Sequence, residues 1–240
     1  MAGPLRILSL SDGRGSLHMA TDVALLHLAP VTTLRFYVWN PPAVSLGWFQ
    51  QEDTNLAQYR ALGYDIVRRP TGGGAVAHHH ELTYAFITST SHPMFEGLDT
   101  TESYDVIHRP IIEALESLGI HVMSPHDAPP PTGGPSGPLL CFDRTASVDL
   151  LINGRKVVGS AQRRITDRLL QHGSIILKTN AIQSDSGSLT SALGASPSVP
   201  LLVELMTDAF ARSFGGAQPG CLSIEEVALA CDIESRFVVR

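Results

Sequence analysis

The sequence predicts a single α/β (α+β) domain built on a mixed β-sheet with helices around it. Three observations predict this. Strand-like and helix-like segments intermix without strict alternation, which favours a mixed sheet. The chain has 240 residues, 43% hydrophobic and 17% charged, enough to bury a full core, and it shows no internal repeat or second domain. Asn153-Gly154 separates two apolar runs, the strongest short-range signal for a hairpin.

The elements follow in order. Ser16–Leu28 reads as a helix with Leu17, Ala20, Ala24 and Leu28 near one face and Pro30 ending it. Leu34–Trp39 reads as a strand stopped by Pro41-Pro42. A short helix over Asp53–Leu62 ends at Gly63. A strand over Tyr64–Arg69 leads into Thr71-Gly72-Gly73-Gly74, and the next strand is Leu82–Ile87. Ser103–Leu118 has helical character, which Pro110 is expected to kink or split. Ala128–Pro138 is almost all Pro, Gly, Ser and Thr and reads as a mobile loop. Val148–Ile152 and Lys156–Ala161 are the hairpin arms, and Leu169–Leu177 is a further strand. Pro200–Phe214 is an amphipathic helix closed by Gly215-Gly216, and Ser223-Ile224-Glu225-Glu226 is a capping box that opens a last helix.

Composition excludes several classes. The apolar fraction is too high for a disordered chain. The apolar run Val23–Leu28 contains a histidine and is far too short to span a bilayer. Residues 1–10 lack the basic start and long apolar stretch of a signal peptide, so the expected location is cytoplasmic. A formal charge of −6 argues against bulk nucleic-acid binding, and three cysteines are too few for a disulfide scaffold. No long apolar surface stripe suggests a partner copy, so a monomer is expected.

Four features carry potential chemistry. Arg68-Arg69-Pro70-Thr71-Gly72-Gly73-Gly74-Ala75-Val76 places three glycines after a strand, either as a plain tight turn or as a loop whose N–H groups hold an oxygen of a ligand. It is neither a P-loop nor a dinucleotide fingerprint. His78-His79-His80-Glu81 has no metal-like spacing to other ligands, so no metal site is expected and a single working histidine is favoured. Cys141 follows the Pro/Gly-rich loop and precedes the hairpin. As a nucleophile it needs a cation or backbone donors nearby to lower its pKa. Cys221 and Cys231 lack that setting and read as structural. The segment Arg155–Arg168 carries five basic residues against one acid, either a solvated face or a docking patch for an acidic partner. Only two of the seventeen basic residues are lysines, Lys156 and Lys178. A lysine in so arginine-rich a chain stands either by chance or where guanidinium does not serve.

Together these pieces resemble the lipoate-protein ligase A and biotin-protein ligase superfamily. The resemblance rests on Arg68–His78, Glu81-Leu82-Thr83-Tyr84, Lys156–Gln162 and Leu170-Gln171-His172-Gly173-Ser174. It extends to Met19–Leu25, Leu34–Pro42 and Ser45–Gln50, and covers about residues 5–215. It implies a catalytic domain of the biotin/lipoate-ligase type with a mixed, largely antiparallel sheet. Cys141-Phe142-Asp143 is similar to the cysteine motif of the octanoyltransferases that draw on acyl carrier protein. Val148-Asp149 stands where lipoate ligases usually have Asn-Asp, the Gly-Arg-Gly-Arg of biotin ligases is missing, and the accessory domain of many lipoate ligases is not expected after the core. The closest group is therefore the cysteine-dependent octanoyl-[acyl carrier protein]:protein N-octanoyltransferases.

That resemblance implies a cytoplasmic acyltransferase that moves an octanoyl group to a lysine of a lipoyl-carrier domain through a cysteine thioester, with Cys141 and Lys156 catalytic. Arg69, Thr71, Gly72, Gly73, Gly74, Ala75 and His78 are expected to bind substrate. So are Gly159, Ser160, Ala161, Gln162, His172 and Gly173. Gly72–Gly74 and Gly159–Ala161 are expected to wall an acyl tunnel, and Arg155, Arg163 and Arg164 to dock the carrier proteins. The expected partners are octanoyl-acyl carrier protein and either the glycine cleavage H protein or a 2-oxoacid dehydrogenase lipoyl domain, with no nucleic acid and no membrane. No cofactor is expected. The alternatives are an ATP- and Mg-dependent lipoate–protein ligase and a non-catalytic subunit of a split ligase.

Overall fold

The computed structural model describes residues 3–52, 56–123, 146, 148–180, 182–183 and 186–240. Cys141 and the Pro/Gly-rich stretch 128–138 lie outside the described residues, as does the start of the helix expected at 53.

Two sheets organise the domain. The larger has seven strands in the order β10-β1-β2-β6-β9-β8-β7. These are β1 (Leu5–Gly13), β2 (Thr33–Trp39), β6 (Glu81–Ser89), β7 (Leu150–Ile152), β8 (Arg155–Ile165), β9 (Arg168–Ile176) and β10 (Ala217–Gly220). β10, β1 and β2 run parallel, and every pairing from β2 to β7 is antiparallel. The smaller sheet sets β3 (Ala43–Leu46) between β4 (Asp65–Arg68) and β5 (Val76–His78). The mixed, largely antiparallel sheet flanked by helices agrees with the expected fold class.

Helices cover both faces of the large sheet. α1 (Gly15–Leu28) packs with α6 (Ile224–Ile233) on one face, and α3 (Thr100–Glu116) packs with α5 (Val199–Ser213) on the other. Two short helices, α2 (Leu56–Ala61) and α4 (Leu189–Leu193), complete the set among the described residues. The α3/α5 core gathers Phe36, Tyr84, Phe86, Ile107, Ile111 and Phe210, and the α1/α6 core gathers Met19, Leu25, Tyr37, Ile87 and Leu170. No described helix is long and apolar enough to cross a membrane.

Several local expectations need correction. Pro110 sits inside α3 without ending it. The Asp99/Glu102 capping box and the burial of Ile107, Ile111, Ala114 and Leu115 hold the helix across the lost backbone bond. In α1 the buried set includes Met19, Asp22, Leu25 and Leu26, whereas Leu28 is exposed. The helix is sandwiched between sheet and α6, so it is buried on more than one stripe. β1, β3, β5, β10 and α4 were not anticipated. β10 contains Pro219 and lies at the sheet edge, where a missing N–H donor is tolerated. Cys221 and Cys231, expected to be structural, are both exposed.

Candidate active site

The site forms at the seam between the two sheets, on the α1 face of the larger one. Cross-strand partners share a face, so register alone places Gly159, Ser174, Thr83 and Tyr37 in one row across β8, β9, β6 and β2. The next row on that face is Ala161, His172, Ala85 and Arg35. The first row is floored by small residues until it meets Tyr37. Above it lies a pocket with about 420 Å³ of empty space, open solvent included, with Met19, Trp39, Val76 and His78 among its walls.

Two imidazoles latch the small sheet and its glycine turn to the large sheet. His78 is buried, with Nε2 2.7 Å from Ser45 Oγ and Nδ1 2.6 Å from Glu81 Oε1. The same Glu81 oxygen accepts from Thr83 Oγ1 at 2.8 Å and Ser174 Oγ at 2.7 Å. The His78 ring stacks on Trp39 with centroids 3.7 Å apart, and the Trp39 indole donates to Thr83. Burial lowers the His78 pKa despite Glu81, so the ring is held neutral.

His172 makes the second latch. Its Nε2 lies 2.7 Å from Thr71 Oγ1 and its Nδ1 2.9 Å from Asp22 Oδ2. Asp22 also accepts from Arg35 Nη1 at 2.9 Å and Tyr37 Oη at 3.0 Å. Burial pushes the Asp22 carboxyl up, but the His172 hydrogen bond and the Arg35 charge outweigh it and leave the pKa below the usual value.

The glycine turn is held from beneath. Arg69 donates to the carbonyls of Gly72, Gly74 and Ser45. Gly73 has φ 93°, a left-handed conformation that favours glycine, and a Cβ on Gly47 would collide with its carbonyl.

On the opposite face of the sheet a second chain of hydrogen bonds fixes the β8 wall. Ser160 Oγ meets Tyr84 Oη at 2.8 Å and His108 Nε2 at 3.0 Å. Gln171 donates to Tyr84, and Gln162 to Gln171. Burial lowers the His108 pKa to about 3. Gly173 is packed so closely between Ser160 and Tyr84 that a Cβ there would strike both.

Lys156 enters β8 beside this wall. It is buried, with Nζ 3.0 Å from Asp149 Oδ2. Ala146 N donates to the same carboxylate oxygen. Burial raises the Asp149 pKa more than Lys156 lowers it.

The structure therefore gathers some of the expected residues and separates others. Arg69, His78, Gly159, Ser160, Ala161, His172 and Gly173 line the cavity. Thr71 reaches it through His172, whereas Lys156, Gly72, Gly73, Gly74, Ala75 and Gln162 are not among its lining residues. The glycines shape the turn and do not wall the slot. Arg163 donates to the Pro70 carbonyl and lies over the Trp48 ring, while Arg164 donates to the Asp99 carbonyl and to Ser103 Oγ beside α3. They leave opposite faces of β8, and only Arg155 is both exposed and at the strand start, so the basic segment is not one continuous patch. His80 is exposed and stacks with His79, and no metal cluster occurs among the described residues. Met19, Tyr37, Trp39, Ser45 and Ser174 are cavity residues that sequence reasoning missed. The alternation in His172-Gly173-Ser174 puts Ser174 on the face of His172, a signal available from sequence.

The fold has close counterparts. Lipoate-protein ligase A crystallised with ATP superposes with a TM-score of 0.79 at 20% identity, covering 98% of this chain and 95% of that one. The bipartite lipoate protein ligase of Thermoplasma acidophilum, studied with its E2 lipoyl domain, gives 0.74 at 19% identity, over 98% of this chain and 93% of that one. At such identities the likeness is one of fold. Among sequence relatives, the octanoyltransferase LipM of Kyrpidia tusciae is 31% identical over 265 residues, spanning 97% of this chain and 96% of that protein. The LipM of Carboxydothermus hydrogenoformans is 42% identical over 174 residues, 68% of this chain and 61% of that protein. Residues 15–198 match the family described as the lipoyl protein ligase A/B catalytic domain, and the chain belongs to that family.

Proposed function

We propose that this chain is an octanoyltransferase of lipoate biosynthesis. It takes the acyl group from octanoyl-acyl carrier protein and delivers it to a lysine of a lipoyl-carrier domain. The observation that carries the reading is the slot, whose small-residue floor runs straight across three strands to Tyr37 on a fourth and suits one unbranched acyl chain. The near full-length likeness to an octanoyltransferase LipM supports it.

Cys141 attacks the thioester carbonyl. A new S–C bond forms, the carrier's thiolate leaves, and it takes the proton that Cys141 gave up. The acceptor lysine, as a free amine, then attacks the acyl-Cys141 carbonyl. The amide forms, Cys141 leaves as thiolate, and the amine's surplus proton returns to it. The first exchange trades one thioester for another, and the second runs downhill to an amide, so the chemistry itself needs no ATP. Lys156 favours the thiolate and donates to the acyl oxygen, with Asp149 fixing its ammonium. Arg155 and Arg164, both exposed, are candidates for steering acidic carriers. The protein works as a monomer in the cytoplasm.

The test mixes the protein with octanoyl-acyl carrier protein and an unmodified lipoyl domain, without ATP, and weighs the domain. Octanoylation that is lost in Cys141→Ala and indifferent to added ATP is expected. Transfer that survives Cys141→Ala and needs ATP with free octanoate makes the chain a ligase. No transfer in either regime makes it a non-catalytic subunit.

A further inference from the structure

We infer that Met19 and Tyr37 form the stop that sets acyl-chain length, with Met19 as its adjustable half. The inference rests on the octanoyl-transfer reading above. The slot has a direction. At the β8 end its lining residues Gly159, Ser160 and Ala161 are only half-buried, whereas Met19 is 1% and Tyr37 0% exposed. The row from Gly159 through Ser174 and Thr83 to Tyr37 crosses three strand spacings, about 14 Å. An extended eight-carbon acyl group advances about 1.2 Å per bond, roughly 9 Å in all. Entering at β8, it ends over β6, and the last strand spacing of about 5 Å before β2 is the width left to the Tyr37 and Met19 side chains.

The side chains there differ in freedom. Tyr37 is fixed by its hydroxyl on Asp22, by the His18 ring stacked at 4.3 Å and by the Arg35 guanidinium 4.4 Å from its centroid. Trp39 is fixed by Thr83 and by His78. Met19 projects from α1 with no polar atom to tether it, and its unbranched thioether adapts to what it meets. Truncating Met19 lengthens the slot, and enlarging it shortens the slot, while the floor and both latches stay as they are.

Each methylene buried is worth about fourfold in binding. Met19→Ala opens depth for about two methylenes, so the kcat/KM ratio of decanoyl- to octanoyl-acyl carrier protein should rise about tenfold or more. Met19→Phe should shift preference towards hexanoyl by a similar factor. A variant that is only destabilised lowers all chain lengths together, so opposite shifts in the two variants are the signature. Met19→Leu replaces Met19→Ala should the latter fail to fold. Calorimetric binding of free octanoate and decanoate to the whole chain gives a readout without turnover. Wild-type protein that transfers octanoyl, with variants that keep its chain-length profile, overturns the stop alone. Wild-type protein that transfers no acyl group, yet binds fatty acids with a Met19-dependent length preference, overturns the transferase reading and leaves the stop standing.

Discussion

Lys156 is one of two lysines in the chain and is buried against Asp149. Under the proposed chemistry its compact ammonium must favour the thiolate and donate to the acyl oxygen from a packed site, where a planar guanidinium sets its donors differently. Lys156→Arg should therefore cut the transfer rate about a hundredfold or more. The larger head costs about 1–3 kcal/mol in a packed site, so urea unfolding of the same variant separates the two effects. Full activity in Lys156→Arg would remove the argument from lysine scarcity. Residue identity was otherwise a good guide where chemistry was local. His78 and His172 stood out in the sequence, and both line the cavity. Gly72–Gly74 stood out too, yet they serve the turn against Gly47, because glycine marks close backbone approach of any kind and not ligand contact alone.

Among elements, those with local codes were legible. Asn153-Gly154 takes φ 50° and 74° between β7 and β8, the turn its composition demanded. Ser223 and Glu226 form the expected capping box at α6. Elements whose stability comes from partners were not legible. β3 and β5 are three or four residues long and exist through each other, and β10 exists by pairing with β1 across more than 200 residues of chain. The slot floor belongs to the same class. Gly159, Ser174, Thr83 and Tyr37 become a row only through the long-range register of β8, β9, β6 and β2. Met19 could not be singled out for the same reason, since α1 is buried on more than one stripe.

At the scale of the molecule, packing helices on both faces of the large sheet seals ionisable groups between layers. Burial, aided by Arg35, lowers His18 to about 4, and burial lowers His108 to about 3. Both are neutral in the folded chain, while an unfolded histidine takes up its proton below about 6.5. The unfolded state then binds more protons, so stability falls as pH drops from about 6.5 through the folded values. Asp22 adds to the loss at still lower pH, and Asp149, raised in the fold, opposes it in part. The urea midpoint should be lower at pH 5 than at pH 7, and His108→Gln should shrink the difference. A midpoint that is flat or higher at pH 5 would contradict this account of the buried histidines. The proposed activity has a more direct test. The protein is mixed with octanoyl-acyl carrier protein alone, without ATP or acceptor, and weighed intact before and after hydroxylamine. The account predicts a single octanoyl adduct on Cys141 that hydroxylamine removes and that Cys141→Ser no longer releases to hydroxylamine or no longer forms. An adduct on another residue of the wild-type chain, or one that appears only with ATP, would contradict it.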